Sequence, residues 1–107
     1  MNVKCEIKDK ILYVSLTGEI DHHSAVGIRN DIDREIYKHA PKCVILELSG
    51  VDFMDSSGLG LILGRYSKLS ALGADLKIAD PSPKTEEILR LAGIDRMIPI
   101  EKGVKRV

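Results

Sequence analysis

Aromatic residues are scarce in this chain of 107 residues, which contains no tryptophan and a single phenylalanine. The hydrophobic core is therefore expected to be aliphatic, and the chain has no aromatic platform on which nucleic-acid bases could stack. An excess of charge is also missing, because 16 basic residues are balanced by 16 acidic residues. Without a net positive field, nucleic acids and anionic membranes are not expected as partners, and a protein partner is.

Long hydrophobic runs and cysteines are few as well. No apolar stretch reaches the roughly 18 residues of a transmembrane helix, and residues 1–6 lack the apolar region of a signal peptide, so the sequence predicts a cytoplasmic protein. Cys5 and Cys43 are far apart and lie in strand-like segments. We therefore expect two reduced, partly buried thiols and neither a disulfide nor a metal site.

The hydrophobic pattern changes its period repeatedly along the chain, and this switching predicts an α/β fold. Residues 3–8 and 12–17 alternate between apolar and polar side chains, which indicates a β-hairpin with a tight turn at Asp9-Lys10. The near-continuous apolar run over residues 42–48 is typical of a central strand that is covered on both faces.

The remaining elements are predicted from helical spacing, caps and turn residues. They are a loop over residues 18–24, a first helix capped by Asp21 or Ser24, a second helix over about 57–72, a strand over 76–79, a short helix after Ser82-Pro83 and an edge strand over 97–100. The order β-β-α-β-α-β-α-(β) predicts that residues 1–107 form a single domain. Its sheet is expected to be mixed and mostly parallel, with four to five strands and helices packed on it.

The candidate catalytic residues do not form any of the common enzyme motifs. The glycine that a nucleophile elbow needs two residues before Ser56 is missing, and His22 and His23 follow no catalytic spacing. The glycines within residues 58–64 depart from the G-x-G-x-x-G pattern and lack the Lys-Ser/Thr of a P-loop. Asp21 and the two histidines are neighbours on one segment, which seldom suffices for a metal. We expect neither an enzyme nor a cofactor.

The segment Asp55-Ser56-Ser57-Gly58 lies where the central strand gives way to the second helix. Hydroxyls at a helix N-terminus can act as caps, and a phosphate there would meet free backbone N–H groups and the positive end of the helix dipole. Sequence chemistry alone does not choose between the two serines. The position suits a phosphorylation switch.

The second helix carries two unusual faces. One consists of small residues: Gly60, Gly64, Ser67 and Ala71. Such a face predicts either a closely packed neighbouring helix or a docking groove for a partner, since each glycine costs a helix interior about 1 kcal/mol relative to alanine. The other face combines apolar and basic residues: Leu61, Arg65, Lys68 and Leu72. We expect this face to be exposed and to form part of a protein interface.

Three segments, residues 17–23, 53–60 and 62–66, resemble the sporulation anti-sigma factor antagonists of endospore-forming bacteria. These proteins are members of the family of sulfate-transporter and anti-sigma antagonist (STAS) domains. The resemblance covers nearly the whole chain. It implies a STAS-like fold and a regulator that is not an enzyme.

The resemblance further implies partner switching. An antagonist of this kind binds an anti-sigma factor that is also a serine kinase with a bound adenine nucleotide, and thereby frees the sporulation sigma factor. The kinase phosphorylates the serine that matches Ser56, which switches the antagonist off, and a serine phosphatase restores it. The surface expected to contact the kinase comprises Asp21, His22, His23, Asp55, Ser57, Gly58, Leu61 and Arg65.

A second function class remains open at this stage. The same fold hosts several roles, so the chain could instead be a small-ligand or nucleotide-binding module. Its pocket would then be formed by the small-residue face of the second helix and by the turn at residues 55–57.

Overall fold

The computed structural model describes residues 2–104 of the protein, so Met1 and residues 105–107 of the predicted domain lie outside it. The elements are β1 (Asn2–Lys8), β2 (Ile11–Ile20), α1 (His22–His39), β3 (Cys43–Met54), α2 (Ser56–Ala71), β4 (Asp75–Ala79), α3 (Pro83–Leu91), a 3₁₀ turn (Ile94–Arg96) and β5 (Ile100–Glu101). The strands form one sheet in the order β1-β2-β3-β4-β5. Strand β1 is antiparallel to β2 and the later pairs are parallel, which confirms the predicted mixed, mostly parallel sheet.

The predicted hairpin is present at the start of the chain. Strands β1 and β2 pair up to Lys8 and Ile11, with Asp9 and Lys10 forming the turn. Both turn residues have positive φ angles, of 52° and 67°. This backbone matches the right-handed twist of the flanking strands, which explains why two residues suffice.

The core lies between the sheet and its helices and is aliphatic, as the composition predicts. In β3 the successive residues Val44, Ile45 and Leu46 are all buried, so both faces of this central strand are covered. Helix α1 buries isoleucines that recur every four residues: Ile28, Ile32 and Ile36. Fully burying a side chain of this size contributes roughly 1.5–3 kcal/mol. Within residues 2–104, no helix is both long enough and apolar enough to cross a bilayer.

The prediction of a loop over residues 18–24 is wrong. Strand β2 continues to Ile20, and α1 begins at His22, so only Asp21 separates the two elements. Strand β3 is also longer than the apolar run over residues 42–48, because it continues to pair with β2 as far as Met54. Strand pairing, which the local polarity of these segments does not reveal, therefore brings the strand ends up to the helix starts.

The sequence predicts the last strand over residues 97–100, but the strand lies later in the chain. The N–H groups of Met97 and Ile98 donate to the carbonyl of Ile94, which continues the turn that follows α3. Strand β5 is consequently limited to Ile100–Glu101.

The two cysteines are free and half-buried, as expected. Burial raises the pKa of Cys5 to about 11, and Glu35 and Asp31 add to this shift. Burial also raises the pKa of Cys43. Because the thiolate is the reactive form, these shifts make both thiols less reactive than an exposed cysteine.

Candidate functional site

Two helices begin side by side at the carboxyl edge of the parallel strands. Ile20, the last residue of β2, is the register partner of Met54, the last residue of β3. The N–H of Asp55 donates to the carbonyl of Ile20 at 3.2 Å, which ties the two strand ends together. Each strand is followed by one aspartate, Asp21 or Asp55, and then directly by a helix. This edge of a parallel sheet is where α/β folds commonly bind their ligands.

Carboxylates cap both helices. The Ser24 N–H donates to Oδ1 of Asp21 at 2.9 Å, and the Asp21 N–H donates to Oγ of Ser24 at 3.0 Å, so the two residues form a capping box. The hydrogen bond from the Ser24 backbone is the main cause that lowers the pKa of Asp21. In the second helix the Ser57 N–H donates to Oδ1 of Asp55 at 2.8 Å. The cap of this helix is therefore the Asp55 carboxylate, although the serine hydroxyls were also within capping reach by sequence.

The two adjacent serines differ in exposure. Ser56 is the first residue of α2 and is exposed, whereas Ser57 is half-buried. The N–H groups of Ser57 and Gly58 already donate to Asp55, to its carboxylate and its carbonyl respectively. A phosphate on the exposed Ser56 would find both donors already bonded to Asp55 and would remain on the surface.

Exposed rings flank this edge of the sheet. His22 and His23 occupy the first turn of α1, with ring centroids 5.9 Å apart in an edge-to-face arrangement. Phe53 is 42% exposed and pairs in register with Glu19 of β2. Sequence analysis did not assign a role to Phe53, although an exposed aromatic residue at a protein surface is a common contact in interfaces.

A groove of about 280 Å³ runs between α1 and α2, beginning at Ser57. Helix α1 contributes Ala25, Val26 and Arg29, and α2 contributes Ser57, Gly60, Leu61, Gly64 and Arg65. Val26 is 51% exposed. The groove thus joins an apolar wall to two arginines, next to the turn that carries Ser56.

A charged cluster that includes the groove residue Arg65 joins the two helices. Nε of Arg65 lies 3.0 Å from Oδ1 of Asp33, and Nζ of Lys68 lies 3.2 Å from Oδ2 of the same carboxylate. Nζ of Lys68 also donates to Oη of Tyr37 at 2.8 Å and lies 4.7 Å from the centre of its ring. Neither Oδ1 of Asp33 nor Nε of Arg65 takes part in a hydrogen bond of good geometry, so these two groups form an ion pair only.

The model of the STAS domain family matches residues 2–107. The chain belongs to this family. It is 35% identical over 102 residues to the anti-sigma F factor antagonist of Paenibacillus polymyxa, covering 94% of this chain and 87% of the relative. The resemblance seen in the sequence motifs is thereby confirmed.

Two solved structures of the anti-sigma factor antagonist SpoIIAA are similar to this STAS domain. The unphosphorylated form matches with a TM-score of 0.84 and 28% identity, covering 97% of this chain and 90% of the other. The phosphorylated form, a Bacillus cell fate determinant, matches with a TM-score of 0.77 and 28% identity, covering 97% and 93%. The fold described above is thus that of an anti-sigma factor antagonist.

In this STAS domain the predicted site residues lie at the starts of α1 and α2, except that Leu61 and Arg65 lie further along α2, and the structure corrects the exposure of these two. Leu61 and Arg65, expected on an outer face, are only 5% and 6% exposed. Their face is turned toward α1, and they form the floor of the groove. Leu72 is 58% exposed, as expected. A glutamate at position 61 or 65 would therefore disturb the helix packing as well as any docking surface.

Residues of α1 complete the groove and were missed by sequence analysis. Val26 carried a usable signal, because it is apolar but lies outside the buried isoleucine stripe of α1. Asp33 carried no such signal, since it is 32 positions away from Arg65 along the chain and lies among other charged residues.

The three glycines of α2 have different environments. Gly58 is buried, and a Cβ atom there would clash with Cγ of Met54. Gly60 and Gly64 have no atom within 4 Å of such a Cβ, so no neighbouring helix packs on them. Of the two alternatives for this face, the closely packed neighbouring helix is therefore wrong, and the docking groove remains.

Alanine substitutions at Gly58 and Gly64 are expected to have opposite effects on stability. Gly58→Ala overpacks the contact with Met54, which is only 2% exposed, and should lower the free energy of unfolding by about 1–3 kcal/mol. Gly64→Ala adds a methyl group in open space and improves helix propensity, so it should raise that energy by up to about 1 kcal/mol. Urea denaturation measures both variants. A Gly64→Ala protein that is less stable than the wild type would contradict the open environment of Gly64.

Proposed function

We propose that this STAS domain is an anti-sigma factor antagonist that works by partner switching. It binds an anti-sigma factor that is also a serine kinase and displaces the sporulation sigma factor from it. Phosphorylation of Ser56 then switches the antagonist off, and a serine phosphatase restores it. The observation that carries this proposal is the exposed Ser56 hydroxyl at the carboxyl edge of the sheet, beside the groove between α1 and α2.

The geometry supports a switch that acts by charge and bulk. A phosphate would add a charge of about −1.5 to −2 next to the carboxylate of Asp55. The caps of α1 and α2 use Asp21, Ser24 and Asp55, so none of their hydrogen bonds depends on the Ser56 hydroxyl. Modification of Ser56 therefore leaves the helix starts in place. The similarity to both the unphosphorylated and the phosphorylated form of SpoIIAA supports this view.

The proposed partner surface surrounds Ser56. Asp21, His22 and His23 lie at the start of α1, which the strand pairing places next to the start of α2. Ser57 forms the near end of the groove, where Leu61 and Arg65 form the floor. Gly58 is buried and supports this surface from below, because its lack of a side chain lets the first turn of α2 pack closely on Met54. In this proposal the kinase supplies the adenine nucleotide and the catalytic groups, and the STAS domain supplies the acceptor hydroxyl. Neither nucleic acid nor a membrane takes part.

The alternative function, a small-ligand or nucleotide-binding module, is less well supported. The groove volume of about 280 Å³ lies just below the usual range for ligand pockets. The start of α2 holds no lysine positioned as in a P-loop. A binding titration with ATP alone separates the two functions, since the proposed antagonist binds nucleotide only through its partner.

The anti-sigma F factor of Paenibacillus polymyxa, the target named for the relative in that organism, is a suitable test partner. We expect the STAS domain to bind this factor and, when ATP is present, to gain one phosphoryl group by intact-mass spectrometry. A parallel reaction with ADP should give a complex without a change in mass. When the sigma factor is added to the same mixtures, its displacement from the anti-sigma factor can be followed. Absence of both binding and phosphorylation with either nucleotide would contradict the proposed function.

A further inference from the structure

The groove between α1 and α2 contains more positive charge than the domain itself neutralises. Arg65 has only 8% of its side chain exposed, and the Nε of its guanidinium makes no hydrogen bond within residues 2–104. Its one ion-pair partner, Asp33, is shared with Lys68. Arg29 on the opposite wall has no carboxylate partner in the described part of the chain, and its charge lowers the pKa of Arg65, although burial is the larger cause. A buried guanidinium with unused donors favours an additional anionic group.

The shape of the groove limits what the anionic group can be. Its volume of about 280 Å³ leaves room for one or two side chains and not for a folded segment. The space above Gly60 and Gly64 is open. Beside this space lies the exposed side chain of Val26, an apolar contact surface. A carboxylate with an apolar neighbour matches both the charge and the shape of the groove.

We propose that the groove binds an acidic side chain of the anti-sigma factor, whose carboxylate pairs with Arg29 and Arg65. This proposal rests on the proposed function, because the groove begins at Ser57, directly beside the acceptor Ser56. A kinase that reaches Ser56 must cover the adjacent end of the groove. The buried position of Arg65 fixes its guanidinium and makes a two-pronged hydrogen bond to a carboxylate available at little entropic cost.

Charge reversal on α1 tests the proposal with a matched control. Arg29→Glu places a negative charge on the groove wall, whereas Arg34→Glu makes the same change on the same helix at a residue that does not line the groove. Both arginines are exposed, so both variants are expected to fold. Binding of the Paenibacillus polymyxa anti-sigma F factor should weaken at least tenfold for Arg29→Glu and less than threefold for Arg34→Glu. The difference should shrink as the salt concentration rises.

A cross-linking experiment identifies the acidic group. In an Arg29→Lys variant a carbodiimide can join the new amine to a carboxylate that lies against it, with loss of water. Peptide mapping should then place the cross-link on an aspartate or glutamate of the anti-sigma factor. A cross-link to a second copy of this chain would overturn the proposal by assigning the groove to self-association.

The outcomes separate this proposal from the proposed function. If the wild-type domain binds the anti-sigma factor and Arg29→Glu binds it equally well, the groove proposal fails while the antagonist function stands. If the wild-type domain does not bind the factor at all, the function itself fails. If ATP alone binds the wild-type domain and Arg29→Glu abolishes that binding, the anionic group is a nucleotide phosphate and the proposal of a side chain is overturned.

Discussion

A Ser56→Ala variant is expected to bind the anti-sigma factor normally and to take up no phosphate. The change removes an exposed hydroxyl that makes no hydrogen bond within the described residues, so the free energy of unfolding should change by no more than about 0.5 kcal/mol. The loss of phosphorylation should be complete, because the acceptor oxygen is gone. Such a variant should hold the anti-sigma factor continuously and leave the sigma factor free. Incubation with the kinase and ATP, followed by mass spectrometry, measures the modification.

Ser57→Ala is the matched control for this assignment. The cap of α2 is the Asp55 carboxylate, which accepts from the Ser57 backbone and not from its hydroxyl, so the alanine keeps this hydrogen bond. Ser57→Ala should therefore be nearly as stable as the wild type and should still be phosphorylated. In contrast, Asp55→Ala should lose about 0.5–2 kcal/mol of stability with the cap. Phosphopeptide mapping that places the phosphate of the wild-type protein on Ser57 would refute the division between the two serines.

A Ser56→Asp variant extends the same reasoning to the switched-off state. A carboxylate brings part of the charge of a phosphate to the position next to Asp55. Binding to the anti-sigma factor should weaken, while the melting temperature should stay close to that of the wild type because the caps are intact. Equal affinity of the Ser56→Asp and wild-type proteins would argue against a switch that acts by charge.

Local signals in the sequence predict most of the fold. The alternation in β1 and β2, the apolar run at the start of β3 and the Ser82 cap of α3 each depend on neighbours within a few residues. The same holds for the Asp21 cap of α1, which requires only Ser24 three positions later. Such features are fixed by the backbone of one element, and a single sequence therefore reveals them.

Features that depend on how elements pack could not be predicted from the sequence. The pattern along α2 does not show on which side α1 lies, so the sequence predicts an exposed face for Leu61 and Arg65, which are buried. The sequence predicts a loop at the end of β2, because the pairing of this segment with β3, up to Ile20 and Met54, is a long-range contact. The groove follows from both facts, since it exists only where two helices start from paired strand ends and then run side by side.

The ion pair between α1 and α2 gives the last prediction, which concerns stability. Removing Asp33 leaves the guanidinium of Arg65, with 8% of its side chain exposed, next to Lys68 and without a carboxylate. Breaking a buried ion pair on one side costs about 3–5 kcal/mol. Since the Asp33 side chain is itself 18% exposed, we expect Asp33→Ala to lose about 2–3 kcal/mol, below that range.

Removal of the opposite partner should be far less damaging. Arg65→Met keeps an aliphatic side chain between the helices, and Asp33 retains its ion pair with Lys68 at 3.2 Å. We expect a loss of less than about 1.5 kcal/mol, since a long apolar chain replaces the buried stem of the arginine. The double variant Asp33→Ala/Arg65→Met should be more stable than Asp33→Ala alone, because it no longer buries an unpaired charge. Urea denaturation curves with an unchanged slope measure all three. Equal losses for the two single variants, or a double variant less stable than Asp33→Ala, would show that the unpaired charge of Arg65 is not what destabilises the domain.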